Sequence, residues 1–198
     1  MKKSTAGAVL KTLDKTYPDA KCALDFDGPL QLLVATILSA QCTDERVNMV
    51  TPGLFLKYPT AEKIARAPQK ALEKIIHSCG FYRQKAKSIR ACCRAIVECH
   101  GGKVPRRLED LVELAGVGRK TANVVLNEAF GQPAIAVDTH VLRTSNRLGW
   151  ISTRDPVKAE FQIMEAVPKK WWHRFTMLMI HHGRNCCSAR KPKCPACP

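Results

Sequence analysis

The 198-residue sequence is poor in acidic residues and has no long apolar run. Asp and Glu total 17 against 32 Lys and Arg, so the formal net charge is +15. The longest apolar stretch, residues 32–38, is too short to cross a bilayer, which excludes a membrane-spanning protein. No segment alternates apolar and polar residues long enough for a convincing strand, which argues against a sheet-based fold.

The N-terminus lacks the continuous apolar segment of a secretory signal, because Lys11, Asp14 and Lys15 interrupt it. Ten cysteines are present, six of them scattered and four crowded between residues 186 and 197. A chain of this length buries a sizeable core without disulfides. We therefore expect reduced cysteines and an intracellular, cytoplasmic protein.

Helical periodicity runs through most of the chain. In residues 83–98, apolar side chains recur every three or four positions and form one stripe: Ala86, Ile89, Cys93, Ile96 and Val97. Proline and glycine pairs such as Pro52-Gly53 and Gly101-Gly102 separate the helical segments. The pattern predicts an all-α fold.

The excess of positive charge indicates a polyanionic partner, with nucleic acid as the first candidate. The run LAGVGRK predicts a helix that ends at Leu114, a turn containing Gly116 and Gly118, and a second helix from about Lys120 to Phe130. Turn amides beside the positive end of a helix form an anion site that suits a phosphodiester. A plain packing corner between two helices is the alternative for this turn.

Two residues of this region suggest catalysis. Lys120 follows Arg119 at the start of the second helix, and it is either a phosphate contact or a nucleophile that forms a Schiff base with a sugar carbon. Asp138 follows four apolar residues and precedes an amphipathic helix, so it is expected to be an N-cap. The same carboxylate could stabilise a developing sugar cation or take a proton. Spacing alone does not decide between these roles.

The run LAGVGRKTANVVLNEAFGQPAIAVDTHVLRTSNRLGW resembles the helix–hairpin–helix and aspartate-loop signature of the endonuclease III family of DNA glycosylases. This family belongs to the helix–hairpin–helix, Gly-Pro-Asp superfamily. The upstream runs LLVATILSAQCTDERVN and GFYRQKAKSI resemble the same family, so the similarity covers nearly the whole chain. Ala115 stands where a proline is common in the family hairpin.

The resemblance implies two helical lobes that flank a DNA-binding cleft. Residues 22–132 would form a helical bundle with the helix–hairpin–helix motif at about 108–130. Residues 1–21 and 133–198 would form the second lobe, which ends in a cysteine loop.

The resemblance also implies a bifunctional DNA glycosylase and abasic-site lyase. Such an enzyme acts as a monomer near the nucleoid on duplex DNA that contains damaged pyrimidines or abasic sites. Lys120 would attack the sugar C1′ with assistance from Asp138, and β-elimination would then nick the strand. A monofunctional mismatch or base-specific glycosylase is the alternative enzyme, and a non-catalytic helix–hairpin–helix protein that binds DNA is the alternative outside enzymes.

Further residues are candidate DNA contacts. Gln41 matches the residue that fills the gap left by a flipped base. Phe81 is expected to be a wedge between base steps or, alternatively, a half-buried core aromatic. The remaining candidates come from the hairpin, the aspartate loop and the basic C-terminal loop: Gly116, Gly118, Arg119, His140, Arg143, Arg184, Arg190, Lys191 and Lys193.

The terminal cysteines resemble part of a 4Fe-4S site, since Cys187, Cys194 and Cys197 match three ligands of the family's cluster. The fourth ligand is expected at position 203, beyond Pro198, so it is not found in this chain and truncation is one explanation. Cys186 could instead be the fourth ligand, or the site could be degenerate. Zinc is the competing occupant, and a reduced tail without metal is the remaining alternative.

Overall fold

The computed structural model describes residues 3–198 and contains no β-strand within them. Eleven α-helices follow one another in this part of the chain: α1 (Lys3–Thr16), α2 (Pro29–Ser39), α3 (Asp44–Lys57), α4 (Ala61–Arg66), α5 (Gln69–Ile76), α6 (Tyr82–His100), α7 (Leu108–Val112), α8 (Arg119–Phe130), α9 (Thr139–Arg147), α10 (Pro156–Ala166) and α11 (Trp172–Asn185). The all-α prediction is confirmed. None of these helices is long and apolar enough to cross a membrane.

The chain divides into two compact units. One unit is the continuous segment Ala23–Phe130, and the other combines Met1–Cys22 with Gly131–Pro198. The continuous unit contains α2 to α8, and the second unit contains α1 and α9 to α11.

Helix α2 is the centre of the continuous unit, because every residue from 32 to 38 is buried. It packs against α3, α6 and α8. Helix α6 contributes the predicted apolar stripe, and four of its five members are fully buried, whereas Val97 is half-buried. These apolar helices give the unit a rigid interior on which its exposed turns are held.

The second unit has its core around α11. Phe175 of this helix is completely buried and lies 6.1 Å, centroid to centroid, from the ring of Trp150. Arg174 joins α11 to α1 through a 2.7 Å ion pair with Asp14. The same core supports α9, which packs directly on α11.

The predicted helical hairpin is α7, a turn and α8, with boundaries slightly different from the prediction. Helix α7 ends at Val112 rather than Leu114, because the Leu114 amide donates to Leu111 O in a tighter turn. Helix α8 begins at Arg119, one residue earlier than predicted.

Gly116 is required at the centre of this turn for two reasons. Its φ of +80° lies in the left-handed region that favours glycine. A Cβ atom at this position would also lie 3.0 Å from Ser88 Cβ, a contact so tight that Ser88 would have to shift by a few tenths of an ångström. The turn therefore packs directly on α6.

Gly116→Ala is expected to lower the free energy of unfolding by about 1–3 kcal/mol, because it combines backbone strain with the Ser88 clash. Gly118→Ala is the matched control, since no atom lies within 4 Å of the added Cβ and its φ lies outside the left-handed region. It should change stability by less than about 0.5 kcal/mol. Urea unfolding curves of the two variants measure this difference, and equal midpoints would contradict the account.

Candidate functional site

The turn between α7 and α8 presents backbone amides at the positive end of a helix. The first helical hydrogen bond of α8 runs from the Ala122 amide to Gly118 O at 2.9 Å. The amides at the start of a helix have no intrahelical acceptor, and the helix dipole adds partial positive charge there. Gly116 and Gly118 are both exposed, so an anion can approach the turn closely. Arg119 is half-buried at the first position of α8.

Lys120 is exposed at the second position of α8, directly after this turn. Its amine is therefore accessible to a nucleotide whose phosphate is held by the turn amides. A primary amine is the group that forms a Schiff base with a sugar carbon. The position permits nucleophilic chemistry and does not enclose the side chain in the core.

Asp138 is the N-cap of α9, as the sequence predicted. Its Oδ1 accepts a hydrogen bond of 2.7 Å from the Val141 amide. The preceding residues, 135–137, are buried and are held to α11 where Thr176 Oγ1 accepts a 3.1 Å hydrogen bond from the Ala136 amide. Asp138 itself is half-buried, so its carboxylate is fixed in direction yet remains accessible. Lys120 belongs to the continuous unit, and Asp138 belongs to the second unit.

Gln41 and Phe81 share an unusual backbone conformation. Three non-glycine residues in the described part of the chain have positive φ: Gln41 (53°), Phe81 (42°) and Lys191 (53°). All three are among the predicted DNA contacts. Left-handed backbone at such residues costs about 1–3 kcal/mol each and persists only where surrounding contacts hold it. Phe81 is 69% exposed, so it is not the half-buried core aromatic that was the alternative.

Arg143 was predicted to contact DNA, but its guanidinium is bonded to backbone carbonyls of the protein. Its Nη2 donates to Gly183 O at 2.9 Å and to Cys187 O at 3.0 Å. His140 Nδ1 lies 3.1 Å from the same nitrogen. A Cβ at Gly183 would lie 2.9 Å from His140 Nδ1, so these groups are tightly packed. The contacts support a role for Arg143 in holding the C-terminal loop against α9.

Arg147, which the sequence analysis did not single out, holds the same loop. It donates to Ser188 O at 2.7 Å and to Ala189 O at 3.1 Å. The available signal was the spacing of Arg143 and Arg147, since residues four apart lie on one face of a helix. Two arginines of α9 therefore bind the backbone of the cysteine loop, defined here as residues 186–198.

The cysteine loop also has an exposed basic surface. Four residues predicted to contact DNA are exposed here. Arg184 lies near the end of α11, and Arg190, Lys191 and Lys193 lie in the loop itself. Ser188 Oγ donates to Arg190 O at 2.7 Å and to Lys191 O at 3.2 Å, which stabilises the left-handed turn there. Four cations on one short segment suit a phosphate backbone.

All four terminal cysteines line one cavity of about 360 Å³. Ligand atoms of Cys186, Cys197 and His182 lie within 4.8 Å of one another. Cys187, by contrast, accepts a 3.3 Å hydrogen bond from Arg147 at its sulfur, and Cys194 is exposed at the rim. Burial and the neighbouring thiol of Cys186 raise the pKa of Cys197. The donor set of thiols and an imidazole suits zinc or an iron–sulfur cluster.

His182 is a member of this cluster that sequence reasoning missed. It is buried, its Nε2 lies 3.9 Å from Cys197 Sγ, and its Nδ1 lies 3.4 Å from the Tyr17 hydroxyl. Burial lowers the pKa of His182, which favours the neutral imidazole. The four-residue spacing of His182 and Cys186 was the only local signal, because Cys197 approaches through the fold of the loop.

Comparison with known proteins identifies the family. The model of the family described as HhH-GPD superfamily base excision DNA repair protein matches residues 34–169. The endonuclease III of Synechocystis is 53% identical over 197 residues, which cover 99% of this chain and 90% of that protein. The endonuclease III of Escherichia coli is 40% identical, with coverage of 100% and 93%.

Solved structures agree with this assignment. A trapped covalent intermediate of an endonuclease III with DNA is 45% identical and superposes with a TM-score of 0.93, covering 100% of this chain and 93% of that one. A thermostable thymine-DNA glycosylase is 25% identical with a TM-score of 0.83, covering 98% and 91%. The chain therefore belongs to the HhH-GPD superfamily of base excision DNA repair proteins and, within it, to the endonuclease III family of DNA glycosylases and abasic-site lyases.

Proposed function

We propose that this protein excises oxidised pyrimidines from duplex DNA and then nicks the resulting abasic site by β-elimination. The observation that carries the proposal is the exposed amine of Lys120 at the start of α8, beside the anion-binding turn. A solved relative of 45% identity forms a covalent intermediate with DNA, and such an intermediate requires a nucleophile. Lys120 is the residue of this chain that supplies one next to the turn.

In the first step, the neutral Lys120 amine attacks the sugar C1′. A C1′–N bond forms to lysine while the glycosidic bond breaks, and the base leaves with the bonding electrons and gains a proton. The cation that develops on the sugar is stabilised by the carboxylate of Asp138, which also receives the proton lost by the attacking amine.

The sugar ring then opens: the C1′–O4′ bond breaks, O4′ keeps the bonding electrons and takes a proton from water, and the nitrogen lone pair forms the C1′=N bond of the Schiff base. The second step uses this Schiff base between Lys120 and the opened sugar. The iminium withdraws electrons and acidifies the proton on C2′. Loss of this proton forms a carbon–carbon double bond and expels the 3′ phosphate with its electron pair. Hydrolysis of the Schiff base then releases the nicked DNA and regenerates the amine.

A monofunctional glycosylase that uses water activated by Asp138 is the second candidate. The similarity to a thymine-DNA glycosylase favours it, because a glycosylase named for an undamaged base has the same fold. Under this alternative, Lys120 contacts a phosphate and forms no covalent bond with the sugar. The two candidates differ in one observable, which is a reducible adduct between protein and DNA.

Duplex DNA is held by three kinds of contact in this proposal. The amides of the α7–α8 turn bind a phosphate, together with Arg119. Gln41 and Phe81 insert into the base stack and fill the space left by the extruded nucleotide. The basic surface formed by Arg184 and the three exposed cations of the cysteine loop contacts the DNA backbone. One chain carries all of these groups, which supports action as a monomer. The proposed location is the cytoplasm, near the nucleoid.

The cysteine loop is proposed to hold a 4Fe-4S cluster with Cys187, Cys194 and Cys197 as ligands. The match of the Cys187, Cys194 and Cys197 spacing to the family's cluster supports this assignment over zinc, and all four terminal thiols line one cavity, which fits either occupant. Such a cluster would cross-link the loop and thereby fix its basic residues, with no part in the covalent chemistry. Backbone contacts from Arg143 and Arg147 support the loop from the side of α9.

Borohydride reduction of a reaction on duplex DNA with one oxidised thymine tests the lyase mechanism. The wild-type protein should give a covalent adduct on a denaturing gel, and Lys120→Ala should give none because the amine is absent. Lys103→Ala is the matched control, since it removes an exposed lysine of the same unit. Base release without any adduct would establish the monofunctional alternative.

Asp138→Asn separates catalysis from helix capping. An asparagine oxygen can still accept the Val141 hydrogen bond, so the unfolding midpoint should change little. Loss of the charge should slow single-turnover base release by about 10²–10⁴-fold. A variant that is destabilised yet releases base at the wild-type rate would show that Asp138 is a cap alone.

Metal analysis tests the proposed cluster. We expect about four iron atoms and four sulfide ions per chain, with visible charge-transfer absorbance. Cys194→Ser should lose the iron, whereas Cys99→Ser, which alters an exposed cysteine of α6, should retain it. One zinc ion per chain, with no iron, would contradict the assignment.

A further inference from the structure

Lys85 is a buried cation with no part in the mechanism above. It lies near the start of α6 and is only 5% exposed. Lysine is among the residues least often buried, because the ammonium loses its hydration unless other groups replace it. Its position therefore requires specific acceptors.

Two backbone carbonyls provide those acceptors. Lys85 Nζ donates to Leu38 O and to Cys79 O, each at 2.7 Å. Leu38 lies in the last turn of α2, and Cys79 is the last residue of the 3₁₀ turn His77–Cys79. Carbonyls at helix ends lack intrahelical donors and carry partial negative charge, which favours a cation. One ammonium thus stabilises two helix ends at once.

The neighbouring Cys79 thiol does not supply a counter-charge. Cys42 and Cys79 both lie near Lys85 Nζ, and burial raises the pKa of Cys79 to about 11, so this thiol is neutral at physiological pH. Burial also lowers the pKa of Lys85 itself. The two carbonyl oxygens are therefore the groups that hold the ammonium in place.

Each stabilised helix end leads directly into an exposed left-handed residue. Gln41 follows Leu38 by three residues, and Phe81 follows Cys79 by two. Both adopt the positive φ values described above. The Lys85 amide also donates to Phe81 O at 3.0 Å, so Lys85 contacts this turn through its backbone as well as its side chain. Such strained residues need surrounding contacts to persist.

The hairpin turn rests on the same junction of α2 and α6. A Cβ at Gly116 would lie 3.6 Å from Ile37 Cγ2 and 3.0 Å from Ser88 Cβ. Ile37 precedes Leu38, and Ser88 is one helical turn beyond Lys85. The turns that contain Gln41, Phe81 and Gly116 therefore all pack on the junction of α2 and α6. Within this junction, Lys85 supplies the side-chain hydrogen bonds to Leu38 O and Cys79 O.

We propose that Lys85 is a positioning residue for base extrusion, which holds Gln41 and Phe81 in the conformation that fills the space left by the extruded nucleotide. The inference rests on the DNA role proposed above for Gln41 and Phe81. Loss of the Lys85 hydrogen bonds frees both turns to leave the left-handed conformation. The step that suffers is the extrusion of a stacked base, because an abasic nucleotide has no base to unstack.

The experiment compares two reactions of Lys85→Met, which preserves chain length and removes the donor. Single-turnover excision of an oxidised thymine should slow by about 10–100-fold. β-Elimination at a preformed abasic site should change by less than about threefold, since little extrusion is needed there. Fluorescence of a 2-aminopurine beside the lesion reports unstacking directly, and its increase on binding should be lost. Lys87→Met, which alters an exposed lysine of the same helix, should match the wild type in all three measurements.

All rates are divided by the concentration of protein that can be trapped on abasic DNA, so unfolded molecules do not contribute. A merely structural role would then leave no selective defect, and equal loss in both reactions would overturn the proposal. If Lys85→Met does not fold, Lys85→Gln takes its place, because its shorter, uncharged side chain cannot donate to both carbonyls, and the same selective loss of excision is expected.

A mutant cycle tests whether Lys85 affects excision through Gln41 and Phe81. In a Gln41→Ala Phe81→Ala background, Lys85→Met should cause no further loss of excision, because the residues it positions are already absent. Additive losses would overturn the proposal. If the Gln41→Ala Phe81→Ala protein excises at the wild-type rate, the proposed insertion role fails and the inference fails with it. If that protein is impaired while Lys85→Met is not, the inference alone fails.

Discussion

The close contact of the hairpin turn with the α2–α6 junction is the constraint on which the proposed DNA-binding turns of the continuous unit depend. Gly116 can approach Ile37 and Ser88 only because it has no side chain. This contact sets the direction of α8 as it leaves the turn, and hence the position of Lys120. A nucleophile must be placed to within a fraction of an ångström to be effective, so a rigid apolar support is a requirement of the chemistry.

In the second unit, hydrogen bonds instead of apolar contacts hold the candidate site residues in position. Its aspartate is fixed by capping α9, and the next turns of the same helix carry Arg143 and Arg147. These arginines bind the backbone of the cysteine loop instead of remaining free at the surface. Helix α9 thus links the orientation of Asp138 to the position of the loop. The net positive charge of the chain is consequently a poor guide to which individual cations meet DNA.

Much of the fold and part of the site could be predicted from the sequence. Helical periodicity identified the all-α class, and the Gly-Val-Gly run located the hairpin to within two residues, because both signals are local. The capping role of Asp138 was predictable for the same reason. The hydrogen-bond partners of Lys85 could not be predicted. Leu38 lies 47 residues away, and since every residue has a backbone carbonyl, the sequence does not show which one accepts the bond. The grouping of His182 with Cys197 likewise depends on how the cysteine loop folds back.

Mass spectrometry of the reduced protein–DNA adduct tests the central claim most directly. After borohydride reduction, nuclease treatment and proteolysis, the sugar remnant should be found on the peptide that contains Lys120, attached to its Nζ. That result would identify the amine at the start of α8 as the nucleophile. A remnant on any other residue, or on the N-terminal amine, would contradict the account.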